Sequence, residues 1–226
     1  QSTLPEVAST PIDANVVWPH ERDFLQRCIK QQSQHDERLA DQTSLVADLI
    51  YACKARGKEI FLLQVRNIRV SNAVVELEIV SWGRLHGLKT DAAQGVIAIT
   101  NQTLAARLLE WKNRRLCEGA ESHHLLFGTK GDPKRCYRLG LMYPWLNLAL
   151  KFVTGDSSSC LHHLRHAAAD EAFVTLEFDE HFHKAMDQLS LDMGHASLKS
   201  TISYLHSFPS LIRKRLDVHL HKLPLS

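Results

Sequence analysis

Read for the spacing of its apolar residues, the chain is helical toward both ends and changes period in the middle. A helix is predicted over about 21–34, with Phe24, Leu25 and Cys28 on one face. A second is predicted to start near Asp41-Gln42-Thr43, where Leu45, Val46, Leu49, Ile50 and Cys53 keep helical spacing. Over 74–80 the residues then alternate apolar and acidic (Val75, Glu76, Leu77, Glu78, Ile79), the pattern of a half-exposed strand. Short strands over 85–90 and 95–100 read as a pair joined through Asp91-Ala92-Ala93-Gln94. Helical spacing returns over 102–115, with Leu104, Leu108 and Trp111 on one face, and again over 144–152 and 161–174. It returns last over 209–223, an amphipathic tail with Leu211, Ile212, Leu216 and His219. Residues 1–18 contain Pro5 and Pro11 and show no period, so they read as a linker or extended arm. Residues 175–186 are acidic and aromatic and read as an insertion. Helices, a small antiparallel sheet at one side, then helices again predict an α+β, mostly helical domain.

Composition narrows the classes. With 226 residues, 44% apolar and 23% charged, the chain is long enough to bury a core and too apolar to be disordered. A net charge of +2 means that any nucleic-acid surface is a local patch rather than a global one. No run has the length of a membrane span and no secretory signal opens the chain, so the expected location is the cytoplasm. The opening Gln1 suggests a fragment or a processed chain. Cys28, Cys53, Cys117, Cys136 and Cys160 are scattered without a Cys-x-x-Cys pair, which suits free thiols in a reducing compartment. Histidines are numerous, at 14, but His181-Phe182-His183 and His219-Leu220-His221 lack cysteine or carboxylate partners at zinc spacing. No metal and no cofactor is expected.

Three stretches carry candidate chemistry. The first is Met193-Gly194-His195 followed by Ser197, Ser200 and Thr201 and then Tyr204, a tight turn, a short polar helix and a tyrosine. The second is His162-His163-Leu164-Arg165-His166, which contains a His-x-x-Arg pair. The third is Arg56-Gly57-Lys58-Glu59-Ile60-Phe61-Leu62-Leu63, continuing to Asn67-Ile68. Together they resemble the catalytic domain of the tyrosine recombinases, the phage-type integrase family, over roughly residues 19–208. That family surrounds its first catalytic arginine with Arg-x-x-Glu-Leu-x-x-Leu-x-x-x-Asp-Ile, and Arg56, Glu59, Ile60, Leu63 and Ile68 fit. Two positions depart from it: the preceding Thr-Gly is Cys53-Lys54, and the Asp is Asn67.

The resemblance implies phosphodiester transesterification without ATP or metal, because the energy of the cleaved bond is kept in a 3′-phosphotyrosyl link. It assigns Tyr204 as nucleophile and Arg56 and Arg165 as phosphate-binding cations, a task that suits the planar guanidinium fork. Lys89, on the predicted hairpin, becomes the general acid. His162 becomes the group that positions phosphate and moves the nucleophile's proton, and His195 a hydrogen-bond donor to a non-bridging oxygen. The implied function is site-specific integration or excision of a mobile element. The implied partners are double-stranded DNA sites and a homotetramer on synapsed DNA, with room for an accessory DNA-bending protein. Residues 209–226 would form a tail for subunit contacts. Two relatives of this reading remain open: a catalytically silent DNA-binding protein, and a type IB topoisomerase-like enzyme that relaxes DNA. Taken singly, each residue also has a plain role. Tyr204 could be packing, His195 a helix cap, Lys89 a solvated surface group, and Arg56 and Arg165 ion-pair partners of Glu59 or Asp170. The basic run Arg213-Lys214-Arg215 suits either a DNA backbone or a solvated face.

Overall fold

The computed structural model describes residues 17, 19–32, 36–80, 95–132, 134–135, 142–175, 182–195 and 200–201. Its elements are α1 (Pro19–Gln32), α2 (Glu37–Ala52), α3 (Gly57–Phe61), a 3-10 turn (Val65–Asn67), β1 (Ile68–Ser71), β2 (Val74–Ile79), β3 (Gly95–Ile99), α4 (Gln102–Cys117), α5 (Met142–Thr154), α6 (Leu161–Thr175) and α7 (Phe182–Asp192). The α+β, mostly helical architecture expected from the sequence is the one observed.

The central element is α2, which packs against α1, α3, α4, α5 and α6. Leu39, Leu45, Val46, Leu49 and Ile50 are all buried. Burying one such side chain stabilises by about 1.5–3 kcal/mol. Helix propensities among ordinary residues differ by no more than about 0.7 kcal/mol, so packing rather than propensity fixes α2. Two polar residues on its buried face are hydrogen-bonded: Gln42 Nε2 donates to the Phe127 carbonyl at 2.7 Å, and Ser44 Oγ donates to Gln26 Oε1 at 2.5 Å. The helix begins four positions before the expected Asp41. Asp36 caps it by accepting the Leu39 N–H at 2.9 Å, a start signal that apolar spacing alone does not reveal.

The sheet is antiparallel in the order β1-β2-β3. Ile68 stands opposite Leu77, and Val75 opposite Ile99. Ile68, Val75, Leu77, Ile79 and Ile99 are buried and close one side of the core. Strand β1 was not expected. The expected strand over 85–90 lies outside the described residues, as does the tail helix over 209–223. Of the arm over 1–18 only Val17 is described, and it is buried.

The last five residues of the stretch read as an insertion, 182–186, belong to a helix, because α7 begins at Phe182. Met186, Leu189 and Met193 are buried and recur at helical spacing, which the acidic and aromatic composition before them obscured. Helix α6 follows its prediction closely. Its first N–H groups are taken by side chains, with Leu161 N–H donating to Asn147 Oδ1 at 3.0 Å.

Candidate active site

Three segments far apart in the chain meet beside the C-terminus of α2. The first is the turn from α2 to α3. Ala55 N–H donates to the Ile50 carbonyl at 3.1 Å and Lys54 N–H to the Tyr51 carbonyl at 3.2 Å, which is the Schellman closure of a helix end. The residue that turns the chain is Lys54, at φ +51°. A left-handed backbone costs a non-glycine residue about 1 kcal/mol. A lysine thus holds the left-handed position where the recombinase sequence pattern has glycine. Arg56 follows at the start of α3. Its N–H donates to Glu59 Oε2 at 2.6 Å and its Nη1 to Glu59 Oε1 at 2.8 Å. Glu59 thus closes the first turn of α3 and holds the Arg56 side chain with the same carboxylate. The other departure is absorbed as well: buried Asn67 accepts the Gln64 N–H through Oδ1 at 2.8 Å, as an aspartate would.

The second segment is the first turn of α6. His163 is structural: it is buried, and its Nδ1 accepts the Cys160 N–H at 2.9 Å. Arg165 is 1% exposed. Its Nη1 lies 3.7 Å from Glu59 Oε2, so the bland pairing with Glu59 is real, though it is too long for a hydrogen bond. His162 is open to solvent on one side, and its ring stands edge-on to His166 with centroids 4.7 Å apart. Burial of the ring, then the charges of His166, Arg165, His163 and Arg56, push its imidazole down to about 4. At neutral pH His162 is therefore an uncharged imidazole.

The third segment is the end of α7. Gly194, at φ +59°, closes that helix with the same pair of bonds seen after α2: Gly194 N–H to the Leu191 carbonyl at 2.8 Å, and His195 N–H to the Ser190 carbonyl at 3.0 Å. Arg165 Nη2 donates to the Met193 carbonyl and lies 3.1 Å from His195 Nε2. A guanidinium has donors only, so Nε2 is the acceptor and the ring proton sits on Nδ1. Nδ1 lies 3.0 Å from Thr201 Oγ1, which is fully buried. In this arrangement Nε2 of His195 receives a hydrogen bond, and donation from it to a phosphate oxygen requires a further proton.

Arg56, Glu59, Arg165, His195 and Thr201 form one connected line, with His162 at its rim. Lys89 and Tyr204 lie outside the described residues. A cavity of about 440 Å³ opens beside this line, bounded by Lys54, Glu59, Arg165, Asp192 and Gly194 on one side and by β3 on the other. The sequence named Glu59 as a pattern match and an ion-pair partner, but gave no roles to Thr201, Lys54 or Asp192. Only the replaced Thr-Gly, and the Ser/Thr-rich stretch after His195, pointed toward two of them.

Among the described residues one group could gather three metal ligands, Glu121, His123 and His124. His124 Nδ1 already accepts the Glu121 N–H at 2.9 Å, which places that ring's proton on Nε2 and leaves neither nitrogen ready for a metal. The four described cysteines, Cys28, Cys53, Cys117 and Cys160, are free thiols. No described helix is long and apolar enough to cross a membrane.

No family model and no curated protein matches the sequence. Solved structures do match. The XerH site-specific recombinase, in a post-cleavage complex with palindromic difH substrate, superposes with a TM-score of 0.66 at 16% identity, over 91% of this chain and 53% of that one. XerA recombinase gives 0.62 at 15% identity, over 95% and 66%. The Tn1549 transposon integrase in complex with transposon right end DNA gives 0.64 at 13% identity, over 98% and 70%. The chain has the fold of a tyrosine recombinase catalytic domain, and it spans about half the length of XerH.

Proposed function

We propose that this chain is the strand-cleaving domain of a site-specific DNA recombinase. The observation that carries the reading is the connection of Arg56 and Arg165 through Glu59, and of Arg165 to His195, from three separate segments, on a fold shared with XerH, XerA and the Tn1549 integrase. In the proposed reaction the Tyr204 hydroxyl oxygen attacks a DNA phosphorus. One P–O bond forms to the tyrosine and the P–O bond to the 5′-oxygen breaks. The tyrosine's proton passes to neutral His162, and the leaving 5′-oxygen takes a proton from Lys89. Arg56 and Arg165 face the charge that grows on the pentacoordinate phosphorus. Once Arg165 turns toward phosphate, Nε2 of His195 is released to take up a proton and then donate to a non-bridging oxygen. Rejoining to a different 5′-hydroxyl reverses these steps and gives recombination.

In this reading residues 19–208 are the catalytic unit, 1–18 the arm that leads into it, and 209–226 a tail for subunit contacts. The protein acts as a homotetramer on synapsed double-stranded DNA, in the service of a mobile element. Covalent capture tests the chemistry. The protein and its Tyr204→Phe variant are incubated with nicked duplexes from DNA flanking its gene and resolved under denaturing conditions. An adduct formed only with Tyr204 is the expected result. DNA binding with no adduct from either protein would replace this reading with the silent relative, and relaxation of plasmid of arbitrary sequence would replace it with the topoisomerase.

A further inference from the structure

The two helix ends that deliver the site's residues close with the same hydrogen bonds but with different residues. Gly194 occupies the left-handed position after α7 and Lys54 occupies it after α2. Glycine is at ease there and lysine is strained. A second locally unfavourable choice faces it. Asp192 is the last residue of α7, so a negative charge sits at the negative end of the helix dipole. The two meet: Lys54 Nζ lies 3.5 Å from Asp192 Oδ2, while Gln188 Nε2 donates to Asp192 Oδ1 at 2.8 Å and fixes the carboxylate from within α7. Both residues line the cavity that also exposes Glu59 and Arg165. With side chains 20% and 42% exposed, such a pair adds little to folding stability, so stability does not explain why strain is accepted on both sides.

We infer that Lys54 and Asp192 are a positioning tie for the phosphate-binding cluster. The pair draws the turn that carries Arg56 against the helix end that carries the Met193 carbonyl and His195. Arg165 lies between these two segments, so its approach to Glu59 on one side and to Met193 and His195 on the other depends on their separation. Lys54 acts through these groups and does not itself touch the reacting atoms. The tie rests on the recombinase reading only for its effect on strand cleavage; its effect on His195 stands apart from any activity.

The test therefore has two readouts. The first is the ring nitrogen and proton signals of His195 in NMR spectra of the protein alone, assigned by comparison with His195→Gln. The second is the rate of covalent adduct formation. Lys54→Gly is expected to melt no lower than the parent, because it relieves the left-handed backbone, and yet to shift or broaden the His195 signals. Asp192→Asn is expected to move the same signals. The reversed pair, Lys54→Asp with Asp192→Lys, is expected to restore them, since aspartate tolerates the left-handed position. Adduct formation should slow about tenfold in Lys54→Gly and recover to within about threefold in the reversed pair, displacements of a fraction of an ångström being enough for such losses. Unchanged His195 signals in Lys54→Gly would overturn the tie, as would a fall in melting temperature that tracks the loss of rate. If the His195 signals respond as stated but no protein forms an adduct, the tie holds and the recombinase reading fails.

Discussion

Two clusters in this molecule gather arginines around one glutamate, three at Glu118 and two at Glu59, and they use the arrangement in opposite ways. At Glu118 both carboxylate oxygens are taken by guanidinium donors. Arg38 grips both carboxylate oxygens at 2.7 Å, and Arg115 adds a third bond at 2.5 Å. The remaining Arg38 donors reach Gln42 and the Gly128 carbonyl, each at 3.0 Å. Together these bonds tie α2, α4 and the segment before residue 129 into one unit, with the Arg38 guanidinium 5.2 Å from the Trp111 ring centroid. The Arg38 hydrogen bonds, more than any other cause, hold the Glu118 carboxyl down to about 2. At Glu59 only Arg56 is hydrogen-bonded, at 2.8 Å, and Arg165 stands off at 3.7 Å. The Met193 carbonyl, His195 and the charge of Glu59 hold Arg165 without committing its fork to the carboxylate. A guanidinium whose fork is closed on a carboxylate is a fastener, and one whose fork is not can turn to an arriving anion.

The largest expected effect is on stability at the first cluster. Glu118→Ala leaves Arg115, 1% exposed, without its carboxylate and should cost about 3–5 kcal/mol in urea or thermal unfolding. A loss below about 1 kcal/mol, the range of an exposed pair, would mean that the cluster is not the fastener described. Next comes Arg165→Lys, which keeps the charge and removes the fork. It should slow covalent capture by about 100-fold or more, a loss typical of one removed transition-state donor, and shift the unfolding midpoint much less than Glu118→Ala does. If the two variants lose stability equally, the contrast between the clusters collapses.

The smallest effect is on the acid side of the stability curve, where the two regions separate by pH. Glu118 has a folded value of about 2 against an ordinary 4.5. The unfolded chain takes that proton first, so the stabilisation is full above 4.5 and is lost as pH falls toward 2. His162 has a folded value of about 4 against an ordinary 6.5. Here the unfolded chain is protonated between 6.5 and 4 while the folded one is not, so stability declines as pH falls through that higher window. Because one side of His162 is open to solvent, its slope should be shallow. His162→Gln should flatten the upper window alone and Glu118→Gln the lower one alone, as read by unfolding free energies at stepped pH.

Much of this was legible in advance because it depends on neighbours within a few residues. The alternation over Val75 to Ile79 predicted β2, and the Gly-His turn before the tyrosine predicted the left-handed Gly194. Strand β1 escaped because its hairpin turn is Asn72-Ala73, at φ +49° and +63°. Those angles are the ones Asn-Gly adopts, but alanine in the second place hides the signal. The start of α2 escaped because the cap, Asp36, stands outside the apolar period. Helix α7 was partly lost to composition, since Asp179, Glu180 and the aromatic residues around them drew attention from the spacing that follows.

The candidate site divides in the same way. Which residue types occur, in what order, and on which kind of element was determined by the sequence alone, since periodicity and turn chemistry are local. The sequence could equally have left Arg56 and Arg165 as unrelated surface charges. The Arg56–Glu59 pair is local to the first turn of α3, but only the tertiary structure brought Arg165 to the same carboxylate, gave His195 its Nδ1 proton through contacts with Arg165 and Thr201, and set Lys54 against Asp192. Those outcomes depend on which distant segment supplies the partner, and that is decided when the apolar faces of α2, α6 and α7 pack, not by anything that lies beside each residue in the chain.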